Sequence, residues 1–141
     1  MNGVTVETIV NLICESLQIK KIQLARMIGI NESSISSNLS KSIEEIVGKK
    51  TGKRLLPLAL ILLSLPKGVY SSTAIIEGLN QPVVSSPLGF KESILSSLQK
   101  GREIDALTLA DMAKEGIQLY MTKKEAVQRD LYSKVQEVIY A

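Results

Sequence analysis

Residues 21–40 read Lys21-Ile22-Gln23-Leu24-Ala25-Arg26-Met27-Ile28-Gly29-Ile30-Asn31-Glu32-Ser33-Ser34-Ile35-Ser36-Ser37-Asn38-Leu39-Ser40, and the spacing within them decides the fold. Two short helices that cross closely need a small residue at the crossing, which Ala25 supplies. The turn between them needs a residue that tolerates positive φ, and Gly29 stands four positions later. Leu24, Ile28, Ile30, Ile35 and Leu39 then face one small core. Asn31 or Ser33 is placed to cap the second helix, whose outward residues are Glu32, Ser33, Ser36 and Ser37.

Upstream of this pair, Val6, Ile9, Val10, Ile13, Cys14 and Leu17 recur at helical spacing and predict a first helix from Thr5, its N-cap, to Leu17. Downstream, Ser42 and Glu45 have capping-box spacing and open a fourth helix that fades at Gly48 or by Gly52. The longest apolar run, Leu55 to Leu65, is 11 residues and contains Pro57. Proline tolerates a first helical turn, so a fifth helix is expected over Pro57 to Leu65, stopped by Pro66 and Gly68. Ser71 or Ser72 caps a sixth, with Ile75, Ile76 and Leu79 on one side. Asn80 to Gly89, rich in proline and serine, is the clearest loop and the candidate boundary or hinge. A seventh helix is expected from about Phe90 to Lys100, with Phe90, Ile94, Leu95 and Leu98 together and Gly101 ending it. Asp105 can cap an eighth, and a capping box at Thr122 and Glu125 opens a terminal helix with Val127, Leu131, Val135 and Val138 on one stripe. The expected fold is all-α, with about eight helices, no convincing strand and no internal repeat. It divides into a module over residues 1–65 and a helical region over residues 66–141.

Apolar residues make up 45% of the 141, ample for a packed core, while aromatics are only 4%. The apolar run at Leu55 is too short for a membrane span, which needs about 20 residues. No charged-then-apolar leader opens the sequence and the single cysteine, Cys14, cannot form an internal disulfide, so a reducing cytoplasm is expected, with Cys14 an inert core thiol. Histidine is absent, which removes the commonest general base and metal ligand. With no phosphate loop, nucleophile elbow or paired carboxylates at site spacing, neither catalytic residues, metal ligands nor a cofactor are expected.

Net charge is +3, but it is unevenly spread: residues 20–54 hold eight basic residues (Lys20, Lys21, Arg26, Lys41, Lys49, Lys50, Lys53, Arg54) against three acidic ones (Glu32, Glu44, Glu45). Beyond residue 54 the two signs balance at nine each. A basic excess confined to one segment suits phosphate contact.

Leu24-Ala25, then Gly29-Ile30, then Ser34-Ile35-Ser36 resembles the Cro and CI (lambda repressor-like) class of helix-turn-helix proteins, over about Val6 to Leu65. That resemblance implies double-stranded DNA as partner, with the second helix entering the major groove. Carried over by position, base-reading residues are Glu32, Ser33, Ser36 and Ser37, with Asn38 a further candidate where the family usually has an apolar residue. No arginine or lysine precedes Lys41 on this helix, so readout would rest on serine hydroxyls, on Glu32 accepting from cytosine, and on Asn38 pairing with adenine. Lys20, Lys21, Arg26, Lys41, Lys49, Lys50, Lys53 and Arg54 would contact phosphates, which position without specifying.

The expected function is therefore a repressor-like transcriptional regulator acting as a homodimer on two half-sites about 34 Å apart. Its interface would be Leu58, Ile61 and Leu62, or the terminal stripe at Leu131, Val135 and Val138. The alternative is an antitoxin or a phage- or plasmid-encoded adaptor or inhibitor that grips a protein partner through its C-terminal helices; the concentrated positive window favours DNA.

Overall fold

Thr5 supplies the first start signal: its Oγ1 accepts from Thr8 N at 3.3 Å, and α1 (Val6–Leu17) runs on with Val6, Val10, Ile13 and Leu17 buried on one side. Gln18 ends it in the left-handed conformation at φ 53°. The computed structural model describes residues 3–141, among which there are eight helices and no strand, only the isolated bridges Thr5–Ser42 and Val83–Glu92. The fold is all-α. No helix among the described residues is long and apolar enough to cross a membrane.

α2 (Lys21–Ile28), α3 (Glu32–Ser36) and α4 (Ile43–Ile46) follow in short succession. The free amides at the head of α1 are taken up by the chain after α3, since Val6 N donates to Lys41 O at 2.9 Å and Glu7 N to Leu39 O at 3.0 Å. Ser42 forms the expected capping box with Glu45, whose carboxylate accepts from Ser42 N at 2.9 Å.

α5 (Lys50–Ser64) starts seven residues before Pro57, so the expected start at proline is corrected. Pro57 lies inside the helix, where it deprives one carbonyl of a partner. The helix bears this because Leu55, Leu58, Ala59 and Ile61 bury one face. Gly52, read as a stop, is instead a buried helical residue set so tightly on the Ile46 carbonyl that no side chain fits. Leu58 and Ile61, at 0% and 1% exposure, are filled by their own chain and are not available to a dimer interface; Leu62 is half-buried, and Leu60 and Leu63 face outward.

Ser71 Oγ caps α6 (Ser72–Leu79). The Asn80 to Gly89 segment is tied down on both sides: Val83 N donates to Glu92 O at 3.2 Å, and the Glu115 carboxylate accepts from Val84 N and Ser85 N. α7 (Ile94–Gln99) is shorter than expected, because Ser93 caps it and Phe90 is exposed outside the helix, 5.9 Å from the Arg102 guanidinium. Gly101 ends the turn at φ +69° as expected.

α8 (Ala106–Tyr140) is one helix of 35 residues, started by Asp105, whose carboxylate accepts from Thr108 N at 2.9 Å. The expected break at Thr122 does not occur, since amides inside a continuing helix are already bonded four residues back and leave a capping box nothing to cap. Its first half packs most extensively on α6, with Leu109, Met112, Ala113, Gly116 and Ile117 buried. Gly78 and Gly116 bring the two backbones together: a Cβ on Gly78 would stand 2.7 Å from Ile117 Cα. One buried cluster runs from Val6 through Leu58 and Leu79 to Ile117. Residues 121–140 of α8 lie outside that cluster and are exposed throughout.

Candidate nucleic-acid interface

The α2–α3 pair is held from within and without. Leu24, Ile28 and Ile35 are wholly buried and Ala25 nearly so, with Ile30 and Leu39 packed against them, matching the small shared core expected from their spacing. Gly29 adopts φ +71°, and Ile30 N donates to Ala25 O at 2.9 Å, the bond that closes a helix ending in a left-handed residue. Asn31 has the extended backbone of an N-cap, but its side chain makes no capping bond.

Two contacts from distant sequence complete the turn. Arg54 Nη1 donates to Ile28 O at 2.9 Å and Gly29 O at 2.7 Å, and Gln99 Nε2 donates to Met27 O at 2.9 Å. The carbonyls left open where α2 ends are thus bonded by α5 and α7, which bear a cation and an amide where the helix dipole favours positive charge. Local sequence carries no signal for either partner. Replacing Gly29 by valine should cost about 1 to 3 kcal/mol, because a branched residue at positive φ is strained and its Cβ would meet Arg54 Nη1 at 3.0 Å. An unchanged melting temperature for Gly29→Val would show that this turn is not as described.

Of the candidate base-reading residues, Glu32, Ser33, Ser36 and Ser37 are exposed, with Ile35 turned inward between them. Asn38 is half-buried past the end of α3, and its Nδ2 donates back to Ser34 O. The serines carry no hydrogen bond from their hydroxyls to another described residue, so their donors and acceptors face solvent.

The eight basic candidates fall into two groups. Lys20 and Arg26 are exposed on α2 and its N-cap, while Lys21 and Lys41 are half-buried at the two ends of the α2–α3 pair. Lys49, Lys50, Lys53 and Arg54 lie instead at the head of α5. Lys53 Nζ sits 3.5 Å from Glu103 Oε1, both exposed, a pair worth little in water. Arg54 is half-buried and occupied at the α2 terminus.

A buried acid outside the motif escaped the sequence reading. Glu92 is 4% exposed and accepts from Arg102 Nε at 2.9 Å and Ser96 Oγ at 3.2 Å, with Lys100 at 3.9 Å. Burial opposes its ionisation, but the Arg102 hydrogen bond and charge, helped by Ser96 and Lys100, outweigh it and hold the carboxyl below its ordinary value. This pairing fixes the α7–α8 connection. Cys14 is half-buried, packed against the core and not within it, and burial pushes its thiol up, against the smaller pull of Lys21.

Comparison with protein-family models, curated proteins and solved structures finds no match to this chain.

Proposed function

We propose that the chain is a DNA-binding regulator in which α2 and α3 form a helix-turn-helix unit and α3 reads the major groove. The observation that carries this reading is the two-sided character of α3: Ile35 is wholly buried, while Glu32, Ser33, Ser36 and Ser37 present unpaired polar groups outward. Exposed Lys20, the N-cap of α2, and Arg26 on α2 would supply phosphate contact. A major groove offers donors and acceptors on every base pair, and a short polar helix face is what can meet them. Two copies, joined through α8, would set two such faces on successive half-sites.

Selection from a random duplex pool should enrich one palindromic motif, and affinity for it should fall steeply as salt rises. Reversing the charge of Lys20 and Arg26 should weaken specific and random duplexes alike. Ser33→Ala with Ser37→Ala should weaken the selected site by about 1 to 3 kcal/mol while leaving random DNA unchanged. Equal loss on both duplexes for the serine pair would argue that α3 does not read bases.

A second reading, as an adaptor for another protein, is favoured by one observation: Val127, Leu131, Val135 and Val138 form an uncovered apolar stripe on α8. A pool that yields no motif, with DNA affinity independent of salt, would move the assignment there.

A further inference from the structure

Between the head of α5 and the α7–α8 connection lies a cleft of about 650 Å³ that neither α3 nor the α8 stripe uses. Its floor is apolar, formed by Leu56, Pro57, Leu98, Ile104 and Leu109. Its rim carries four cations, Lys50, Lys53, Arg54 and Arg102, against two carboxylates, Glu103 and Asp105, and Arg102 is already paired with the buried Glu92 at 2.9 Å. Asp105 is committed to α8, accepting from Thr108 N at 2.9 Å and Thr108 Oγ1 at 2.8 Å. Glu103 reaches only Lys53, at 3.5 Å in solvent, and is easily displaced. Lys50 has no ion-pair partner among the described residues.

Pockets of roughly 300 to 1,000 Å³ with apolar walls and a few directed polar groups are the usual form of a small-molecule site. A DNA backbone is a poor occupant, since it would leave the apolar floor facing a polyanion. A wholly apolar ligand would leave Lys50, and Lys53 once Glu103 is displaced, unanswered. From the cleft we infer a binding site for a small amphipathic anion, its acidic head at Lys50 and Lys53 and its apolar body on Leu56, Pro57, Leu98 and Ile104.

The cleft also touches the reading unit. Arg54 lines it and holds Ile28 O and Gly29 O, while Gln99, one residue beyond Leu98, holds Met27 O. An anion that draws on Arg54 competes with the carbonyls that end α2, so occupancy changes the turn before α3 by as much as the ligand's affinity differs between the two arrangements. This control of DNA binding rests on the reading of α3 above; occupancy of the cleft does not.

Decanoate and decyltrimethylammonium, which share a chain and differ in head charge, test it by amide NMR on the full chain. Decanoate should move the amides of Gly48, Gly52 and Gly101, which line the cleft, in a saturable way and leave Gly68 and Gly89 in place. Decyltrimethylammonium should not. Lys50→Glu with Lys53→Glu should weaken decanoate about tenfold, and acids in a first helical turn keep α5 folded. No saturable movement of those three glycines, movement confined to residues 127–138, or equal binding of the cation would overturn the site. Saturation at the cleft should also move the Gly29 amide and change affinity for the selected duplex. If both stay fixed while the cleft fills, control is overturned and the site stands; if the chain binds no DNA at all, the cleft amides still report on the site.

Discussion

Gly116→Ala should lower the melting temperature by about 10 °C. Alanine is the better helix former by about 1 kcal/mol, so helix propensity alone predicts stabilisation. Against this, a Cβ at 116 would overlap the Gly78 carbonyl oxygen and stand 3.1 Å from its carbon. Neither group is the end of a flexible side chain: both belong to the α6 backbone, and α6 can move only by parting from the α8 face that buries Leu109, Met112 and Ile117. Overpacking costs about 1 to 3 kcal/mol and more where backbone must shift, so a gross cost of about 4 leaves a net loss of about 3 kcal/mol. In a chain of this size each kcal/mol is worth roughly 3 to 4 °C. Gly48→Ala is the control, since a Cβ there meets nothing within 4 Å. A Gly116→Ala protein that melts with its parent would mean that α6 and α8 do not approach at this point.

The same pair of glycines shows where sequence reading reaches its limit. Thr5, Ser42, Ser71 and Asp105 were legible as helix starts because a cap is a bond to an amide three residues away, complete within its own stretch of chain. Gly29 was legible for the same reason: its positive φ serves the local bonds from Gly29 N to Arg26 O and from Ile30 N to Ala25 O, whereas the bonds from Arg54 and Gln99 that complete the turn left no local mark. Gly78 and Gly116 are 38 positions apart, and only their juxtaposition gives either a purpose. Pro57 misled because its chemistry marks a preferred first turn without forbidding a later one, and burial of Leu55, Leu58 and Ile61 outweighed the bond it removes. Thr122 and Glu125 misled because a capping box acts only on amides that a helix has left free. For the candidate site, the outward set Glu32, Ser33, Ser36 and Ser37 followed from periodicity around Ile35. Charge alone places Arg54 among the phosphate contacts; its role in closing α2 depends on a carbonyl 25 residues away.

The other large effect concerns the far half of α8. Residues 121–140 span about 30 Å of exposed helix, tied to the rest of the described residues near its start, where Lys123 Nζ donates to Gln81 Oε1 at 2.9 Å, and isolated helices of that length are marginal in water. Here the exposed face includes Leu131 at 58%, Val135 at 53% and Val138 at 81%, with Tyr132 and Ile139 beside them. One internal ion pair, Asp130 with Lys134 at 3.5 Å, contributes a few tenths of a kcal/mol and does not offset that exposure. In the proposed dimer, pairing with the same helix of a second copy would cover the stripe on both chains, so that every apolar residue counts twice. Leu131→Asp with Val135→Asp would remove four of the side chains that the proposed dimer covers and put four carboxylates in their place. At about 1 kcal/mol or more for each lost contact, the dimer dissociation constant should rise at least about 1,000-fold. The melting temperature of the body should hardly change when read at the α1 to α7 core, because neither residue enters it. Affinity for the selected palindrome should collapse towards that of a single half-site, while random duplexes are bound as before. Sedimentation velocity at micromolar concentration reads the first effect and a gel shift the second. A parent chain that sediments as a monomer, alone and on the palindrome, sinks the α8 dimer and leaves the stripe to a different protein.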